Sequence, residues 1–378
     1  MKKKLSVWQA TCIITGYGVG SGIMTLPYLV NRAGLVWSAL ILLVAFFFSY
    51  CMHMMLAELT IGSGHGTQVV ALFKKYLFRG KYGNIFIIAL FVLTALVITT
   101  NLAAYVAGGA EILESAGIPP LAAKLIFYVV AAVVVFFGLK ILGISETITV
   151  AIIMGIVAVL AVASLFNLSN PFVFTTGAPN EILAFFGMAM FSFVAFFSVP
   201  QAVEGLEGDP VKVRKAVLRG LGLNLLFIVV IIVCALASSA RITELAMIGW
   251  SEGIGLWAQI FGAAFIILAM LTTYWSVSLA LADILREQLK WHRHLCWVVA
   301  TLPSLILVLF NLGSFLEIMR IAGGLIAILI ALLVVPAFHR CRKENGKLLL
   351  PDALAAMPIQ VLVLVAFLLM AVGSAVDI

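Results

Sequence analysis

The sequence predicts an all-α integral membrane fold of about eleven transmembrane helices, with the first and the sixth of them discontinuous. Three observations predict it. Of the 378 residues 64% are hydrophobic and only 10% charged, with a mean hydropathy of +1.21, so the bilayer is the intended solvent. The apolar residues fall into runs of the roughly 20 residues that cross a hydrocarbon core. Two of these runs carry helix breakers: GYGVGSGIMTLP at residues 16–27, and a run from Phe185 that ends at Pro200.

The runs lie near 8–32, 34–58, 82–107, 121–139, 146–168, 180–204, 217–239, 254–285, 295–312, 314–337 and 353–375, and residues 1–378 read as a single transmembrane domain. Lys2, Lys3 and Lys4 before an apolar run imitate a secretory leader. That run continues to about residue 30 and offers no small-x-small cleavage site, so it is read as the first span. Alternate connections hold all of the 23 Lys and Arg residues except Arg32, Lys124, Arg241 and Arg320. The positive-inside rule then places the N-terminus in the cytoplasm and the C-terminus outside. The formal net charge of +7 is therefore a topology signal, and no nucleic acid partner is expected. The connection at 59–81 suits a short interfacial helix. The five cysteines are scattered, with no close pair.

In the first span, Gly16, Gly18, Gly20 and Gly22 weaken the helix where lipid cannot satisfy a freed amide, each by roughly 1 kcal/mol relative to alanine. Such a break persists only where it faces protein, ligand or water. The four-residue spacing of these glycines also suits close helix packing. Pro27, with Ser21 and Thr25 nearby, favours a stretch unwound between two half-helices. The outer half would begin near Ser21 and Gly22 and present amides to a carboxylate. The inner half would end near Ile14–Gly16 and present carbonyls to an ammonium group or a small cation. In the sixth span Gly187, Ser192, Ala195, Ser198 and Pro200 read either as the same device without a glycine cluster or as a proline-kinked helix with an aromatic lipid-facing side, and the five spans between the two segments favour the repeat.

GVGSGIMTLPYLVNRAG resembles the first-helix signature of the amino acid/auxin permease family and its bacterial aromatic and hydroxy amino acid permease relatives, within the amino acid, polyamine and organocation superfamily. The stretch from Pro200 to Ala216 is similar to the end of that superfamily's sixth helix and its following loop. The resemblance implies a leucine-transporter-like fold: a first repeat over 8–168, a second, inverted repeat over 180–337, and an additional helix over 353–375. It implies secondary active transport of an amino acid. Tyr17 borders the motif, and the resemblance carries substrate contacts onto Gly18, Val19, Gly20, Ser21 and Gly22, with Phe191, Ser192, Phe193 and Ala195 opposite. The glycine often found at the sixth break is absent.

The eighth span carries Thr272, Thr273 and Ser276, whose hydroxyls, with first-helix carbonyls such as those of Gly16 and Val19, would form the hard-oxygen set of a sodium site in sodium-coupled members of this fold. The same hydroxyls can instead bond carbonyls of their own helix. In some proton-coupled relatives a lysine of the fifth span replaces the ion. Residues 147–168 hold no Lys or Arg, which favours sodium, while a proton on a carboxylate or histidine stays open. Glu317 and Arg320 share a face of the tenth span, as a gate, a coupling element or a plain ion pair. His53 and Glu58 read as satisfied packing or interfacial groups, with a proton relay as the alternative, Glu204 and Asp283 as organisers of cytoplasmic loops, and Asn101 as facing the centre beside Tyr105. Phe191, Phe193, Phe196, Phe197, Tyr17, Tyr274 and Trp275 supply an aromatic lining for a neutral, hydrophobic or aromatic amino acid.

The reading is a cation-coupled symporter whose partners are an amino acid and the bilayer, with sodium the one candidate cofactor. The histidines are dispersed without a paired acidic motif, so an enzyme is not expected. A channel would need more polar positions per span. A non-transporting amino acid sensor stays open.

Overall fold

The computed structural model describes residues 4–20, 22–64, 66–80, 82–168, 170, 174, 176–310 and 315–376, without the side chains of 315–323, 326, 327 and 331. In chain order the helices are α1 (Val7–Val19), α2 (Leu26–Ala33), α3 (Leu35–Ser63), α4 (Val69–Tyr76), α5 (Gly83–Ser115), α6 (Pro120–Phe137), α7 (Leu139–Ser164), α8 (Pro179–Ser192), α9 (Ser198–Gly205), α10 (Pro210–Ser238), α11 (Ala246–Ile254), α12 (Leu256–Leu289), α13 (Arg293–Leu309), α14 (Phe315–Asn345) and α15 (Met357–Ser374). Each apolar run of the sequence is covered by one helix or by a consecutive pair. Among the described residues, α3, α5, α6, α7, α10, α12 and α15 are each long and apolar enough to cross a membrane. The first and sixth runs are split into α1 with α2 and α8 with α9, so no half has the length of a span.

Local chemistry sets the ends. Ser6 caps α1 through a capping box, its hydroxyl accepting from the Gln9 amide at 3.1 Å while the Gln9 side chain accepts from the Ser6 amide at 2.9 Å. Asp209 caps α10 by accepting from the Val211 and Lys212 amides, with Pro210 at the first helical position. Gly138 alone joins α6 to α7 at φ +82°, a left-handed conformation that would strain any side chain.

α1 lies at the centre, packed against α7, α10 and α12. α8 packs against α15, where Gly187 and Gly373 approach so closely that a Cβ on Gly187 would sit 2.6 Å from backbone. The outer surfaces of α3 and α5 expose Leu40, Leu43, Ile85 and Ile88, as a lipid-facing wall requires. The connection at 59–81 holds the short helix α4, which buries Val69, Val70, Leu72, Phe73 and Tyr76 and turns Lys74 and Lys75 outward. α11 was not legible in the sequence. Its Ala246 amide donates to the Met24 carbonyl at 2.8 Å, tying it to the first break.

Candidate substrate site at two helix breaks

The first break lies later than the glycine cluster predicts. α1 stays helical through Gly16 and Gly18 to Val19, and α2 begins only at Leu26. The inner half-helix therefore ends about a turn beyond the expected Ile14–Gly16, and the outer half begins about a turn beyond Ser21 and Gly22. Gly16, Gly18 and Gly20 serve close approach: an added Cβ would overlap the Glu146 carboxyl on α7, the Asn224 amide on α10, and the Thr273 hydroxyl with the Ala269 carbonyl on α12. Only Gly22 adopts a left-handed φ, +138°, and it faces Met188, Phe191 and Ser192 of α8. So both readings of the motif hold, at different residues: packing at Gly16, Gly18 and Gly20, unwinding at Gly22. Thr25 at the N-cap of α2 makes no side-chain cap, and Pro27 carries no amide hydrogen, so the Leu26 and Tyr28 amides remain the donors of this helix start.

The sixth span breaks at 193–197 without any glycine. His53, from α3, supplies what the sequence of the sixth span lacks. Its Nδ1 lies 2.6 Å from the Ser49 carbonyl and its Nε2 accepts the Ala195 amide at 2.9 Å. These two contacts assign the proton to Nδ1 and make the ring neutral. The ring also stacks on Phe196, centroids 4.9 Å apart. An amide left unpaired here costs about 1–3 kcal/mol, so the contact stabilises the break itself. His53 is thus a buried, satisfied packing group, and the amide it accepts lies at the break.

A polar network ties the two breaks to α7 and α12. Thr272 Oγ1 donates to the Gly16 carbonyl at 2.9 Å and Thr273 Oγ1 to the Tyr17 carbonyl at 3.0 Å, while both also reach the Ala269 carbonyl of their own helix. Ser276 does not turn to the first helix. Its hydroxyl donates to Glu146 Oε1 at 3.0 Å, and its carbonyl accepts from Gln201 Nε2 on α9 at 2.8 Å. Glu146 is fully buried, and its Oε2 finds no hydrogen-bond partner among the described residues. Sequence reasoning missed it because it stands at the first residue of the fifth run, where an acid reads as a loop residue. The signal was the run's upstream boundary: α7 begins at Leu139, which puts Glu146 two turns inside the helix.

Of the other expected residues, Tyr17, Val19, Asn101, Phe191 and Ser192 are buried, and Tyr105 on α5 hydrogen-bonds Thr273. The structure does not gather the aromatic side chains into one lining. Phe193 packs edge-on against Phe46 of α3, Phe196 faces His53 and Phe367, and the Tyr274 hydroxyl meets Ser304 on α13 at 3.2 Å. Phe191 lies against Gly22, between the breaks. Ser21 and the side chains of Glu317 and Arg320 lie outside the described residues. Asp283 pairs with Arg286 at 3.1 Å one turn further along α12, a contact within the helix rather than to a loop. A cavity of about 520 Å³ between the α6–α7 junction, α12 and α13 is lined by none of the residues of either break.

The tryptophan/tyrosine permease family matches residues 3–376. The chain belongs to that family. It is this family, rather than the amino acid/auxin permeases that the first-helix motif resembles, within the same kind of amino acid permease. No curated protein matches the chain. Among solved structures, MhsT in complex with L-phenylalanine superposes with a TM-score of 0.73 at 16% identity, covering 99% of this chain and 100% of that one. MHP1, a nucleobase-cation-symport-1 family transporter in a closed conformation with bromovinylhydantoin bound, superposes with a TM-score of 0.67 at 15% identity, covering 99% of this chain and 92% of that one. These likenesses show the fold: the permease has the leucine-transporter-like architecture of inverted repeats with broken first and sixth helices. It is a multi-pass membrane protein and a transporter of amino acids, not an enzyme.

Proposed function

We propose that the permease is a secondary active symporter that carries a neutral, hydrophobic or aromatic amino acid together with a cation, by alternating access. The observation that carries this reading is the meeting of the two breaks, where Gly22 of the first faces Phe191 and Ser192 beside the second. The start of α2 offers amides and the positive end of a helix dipole to the substrate carboxylate. The end of α1 offers carbonyls to its ammonium group. Tyr17, Gly18, Val19, Gly20, Ser21 and Gly22 bind what all amino acids share, Asn101, Ser192, Phe193 and Ala195 close the opposite side, and Phe191 meets the substrate side chain. The family name and the L-phenylalanine held by MhsT support an aromatic side chain.

Cation coupling is supported by the Gly16 and Tyr17 carbonyls with the Thr272 and Thr273 hydroxyls, hard oxygens of the kind sodium prefers. Of the remaining expected ligands, Ser276 is committed to Glu146, and Val19 ends the helix beside them. A proton is the second reading, and Glu146 supports it. The two repeats are assigned to 8–168 and 180–337, with 353–375 added, and Glu317 with Arg320 to gating. The distribution of Lys and Arg supports an N-terminus in the cytoplasm of the cell whose inner membrane holds the permease.

The test is uptake by sealed proteoliposomes of labelled L-tryptophan, L-tyrosine and L-phenylalanine. Accumulation above the outside concentration under an inward sodium or proton gradient is expected. Binding without accumulation under either gradient would instead identify a sensor.

A further inference from the structure

We propose that the cavity between the α6–α7 junction, α12 and α13 binds the phosphate headgroup of an anionic phospholipid. This site is separate from the two breaks and does not depend on which amino acid or cation the permease carries. The cavity holds about 520 Å³, the size of a small-molecule pocket. Lys140 of α7, Arg286 of α12 and Arg293 of α13 converge on it, and among the described residues Asp283 is the one acid in its lining. Asp283 pairs with Arg286 at 3.1 Å, while Lys140 and Arg293 form no ion pair among the described residues. A surplus of positive charge is left at the rim. Arg293 is held there: its Nη2 donates to the Phe136 carbonyl at the end of α6, above Gly138, where an added Cβ would sit 2.8 Å from the same nitrogen. The other N–H groups of that guanidinium stay open to a phosphate.

The walls of the cavity decide between a lipid and a soluble anion. Phe137, Ile141 and Ile144 line it and are also exposed on the outer surface. Ile148 and Ile152, also exposed, continue the same face of α7 at helical spacing. The cavity therefore opens sideways onto the lipid-facing wall, and a headgroup seated among the basic side chains lays an acyl chain along this row. A soluble phosphate would leave the apolar side wet. Trp291, exposed at the turn between α12 and α13, and Trp297 in the lining are amphipathic rings of the kind that sit at headgroup level. Charge selects among lipids. A zwitterionic headgroup would bring an ammonium group to a rim already rich in cations, where the Asp283 carboxylate is engaged by Arg286. An anionic headgroup meets no such opposition. Once bound, it joins the start of α7, the end of α12 and the start of α13.

The experiment titrates the detergent-purified permease with phosphatidylglycerol, phosphatidylcholine or inorganic phosphate and reads the unfolding temperature. Phosphatidylglycerol should raise it saturably, and the other two should not at the same concentration. Lys140→Gln combined with Arg293→Gln should increase the half-saturating lipid concentration by roughly 5-fold for each charge removed. Lys74→Gln combined with Lys215→Gln removes the same charge from exposed positions elsewhere and should leave that concentration close to the wild-type value. No stabilisation by phosphatidylglycerol, equal stabilisation by phosphatidylcholine, or an equal loss in both double variants overturns the proposal. Equal protection by inorganic phosphate makes the cavity a soluble-anion site and overturns the lipid assignment. Phosphatidylglycerol with a photoreactive acyl chain gives a second readout that needs no variant. Its crosslinks should fall within 141–152 of α7, and crosslinks confined to other helices overturn the proposal.

Discussion

The first broken helix carries its break in its own sequence, whereas the sixth borrows support from another helix. At the first, glycines allow α7, α10 and α12 to approach within reach of the backbone, and Gly22 adopts the left-handed turn that opens the chain. At the sixth, the residues from Phe193 to Phe197 are ordinary, and the amide that unwinding frees is accepted by His53 from α3. An open backbone in a membrane protein needs a partner, and that partner can be written locally or supplied by a distant residue.

The largest effect expected is at Gly20. Gly20→Ala places a methyl into the Thr273 hydroxyl and the Ala269 carbonyl, overpacking worth about 1–3 kcal/mol. Substrate affinity should fall roughly 10- to 100-fold, read as lost stabilisation by amino acid in a thermal-shift titration. Gly187→Ala, which overlaps the Gly373 backbone at a packing contact alone, should lower stability and leave affinity in place. Equal loss of affinity in both variants would erase the distinction between a glycine packed at the break and one packed away from it.

His53→Ala should come next, leaving the Ala195 amide unpaired at a cost of about 1–3 kcal/mol. Uptake should show a raised KM, and His53→Gln, whose side-chain oxygen can accept the same amide, should recover part of it. Unchanged KM in the alanine variant would mean that the sixth break holds itself. Thr273→Val removes a hydroxyl from the Tyr17 and Gly16 carbonyls, a loss of about 0.5–1.5 kcal/mol. The concentration of coupling cation giving half-maximal uptake should shift by a fewfold, with substrate exchange nearly unaltered; a shift in exchange alone would reassign the threonine to substrate.

The smallest effect lies away from both breaks, at the C-terminal end of α12. Burial pushes the Glu287 carboxyl up from 4.5 to about 7, against the opposing pull of the Gln68 amide that donates to it at 3.1 Å. A raised folded value means that the stabilisation by the neutral form is complete below about 4.5 and is lost as pH rises through about 7. The unfolding temperature of the purified permease should decline over that window, and Glu287→Gln should flatten the decline. A substrate affinity that followed the same curve would show that this end of α12 communicates with the breaks.

Much of the architecture was legible because the bilayer reduces the problem to run length and charge placement. The eleven runs needed no knowledge of contacts, and Pro27 and Pro200 marked the two that break. The register of the first break was not legible: four glycines weaken a helix alike, and only packing of Gly16 and Gly18 against Glu146 and Asn224 kept the helix intact through Val19. The directions of two expected lining residues were hidden for a related reason. Phe193 and Phe196 sit in the expected segment, yet their rings turn toward Phe46 and His53, a choice made by α3.

What the sequence determined by itself was the solvent, the crossings and the place of the openings, because each depends on composition within one stretch of chain. What the tertiary structure decided was which groups meet there. A histidine 142 residues before its amide, and a glutamate 130 residues before the serine that holds it, are joined only when helices remote in sequence pack side by side. In a membrane interior with few polar groups, those pairings decide where charge can reside.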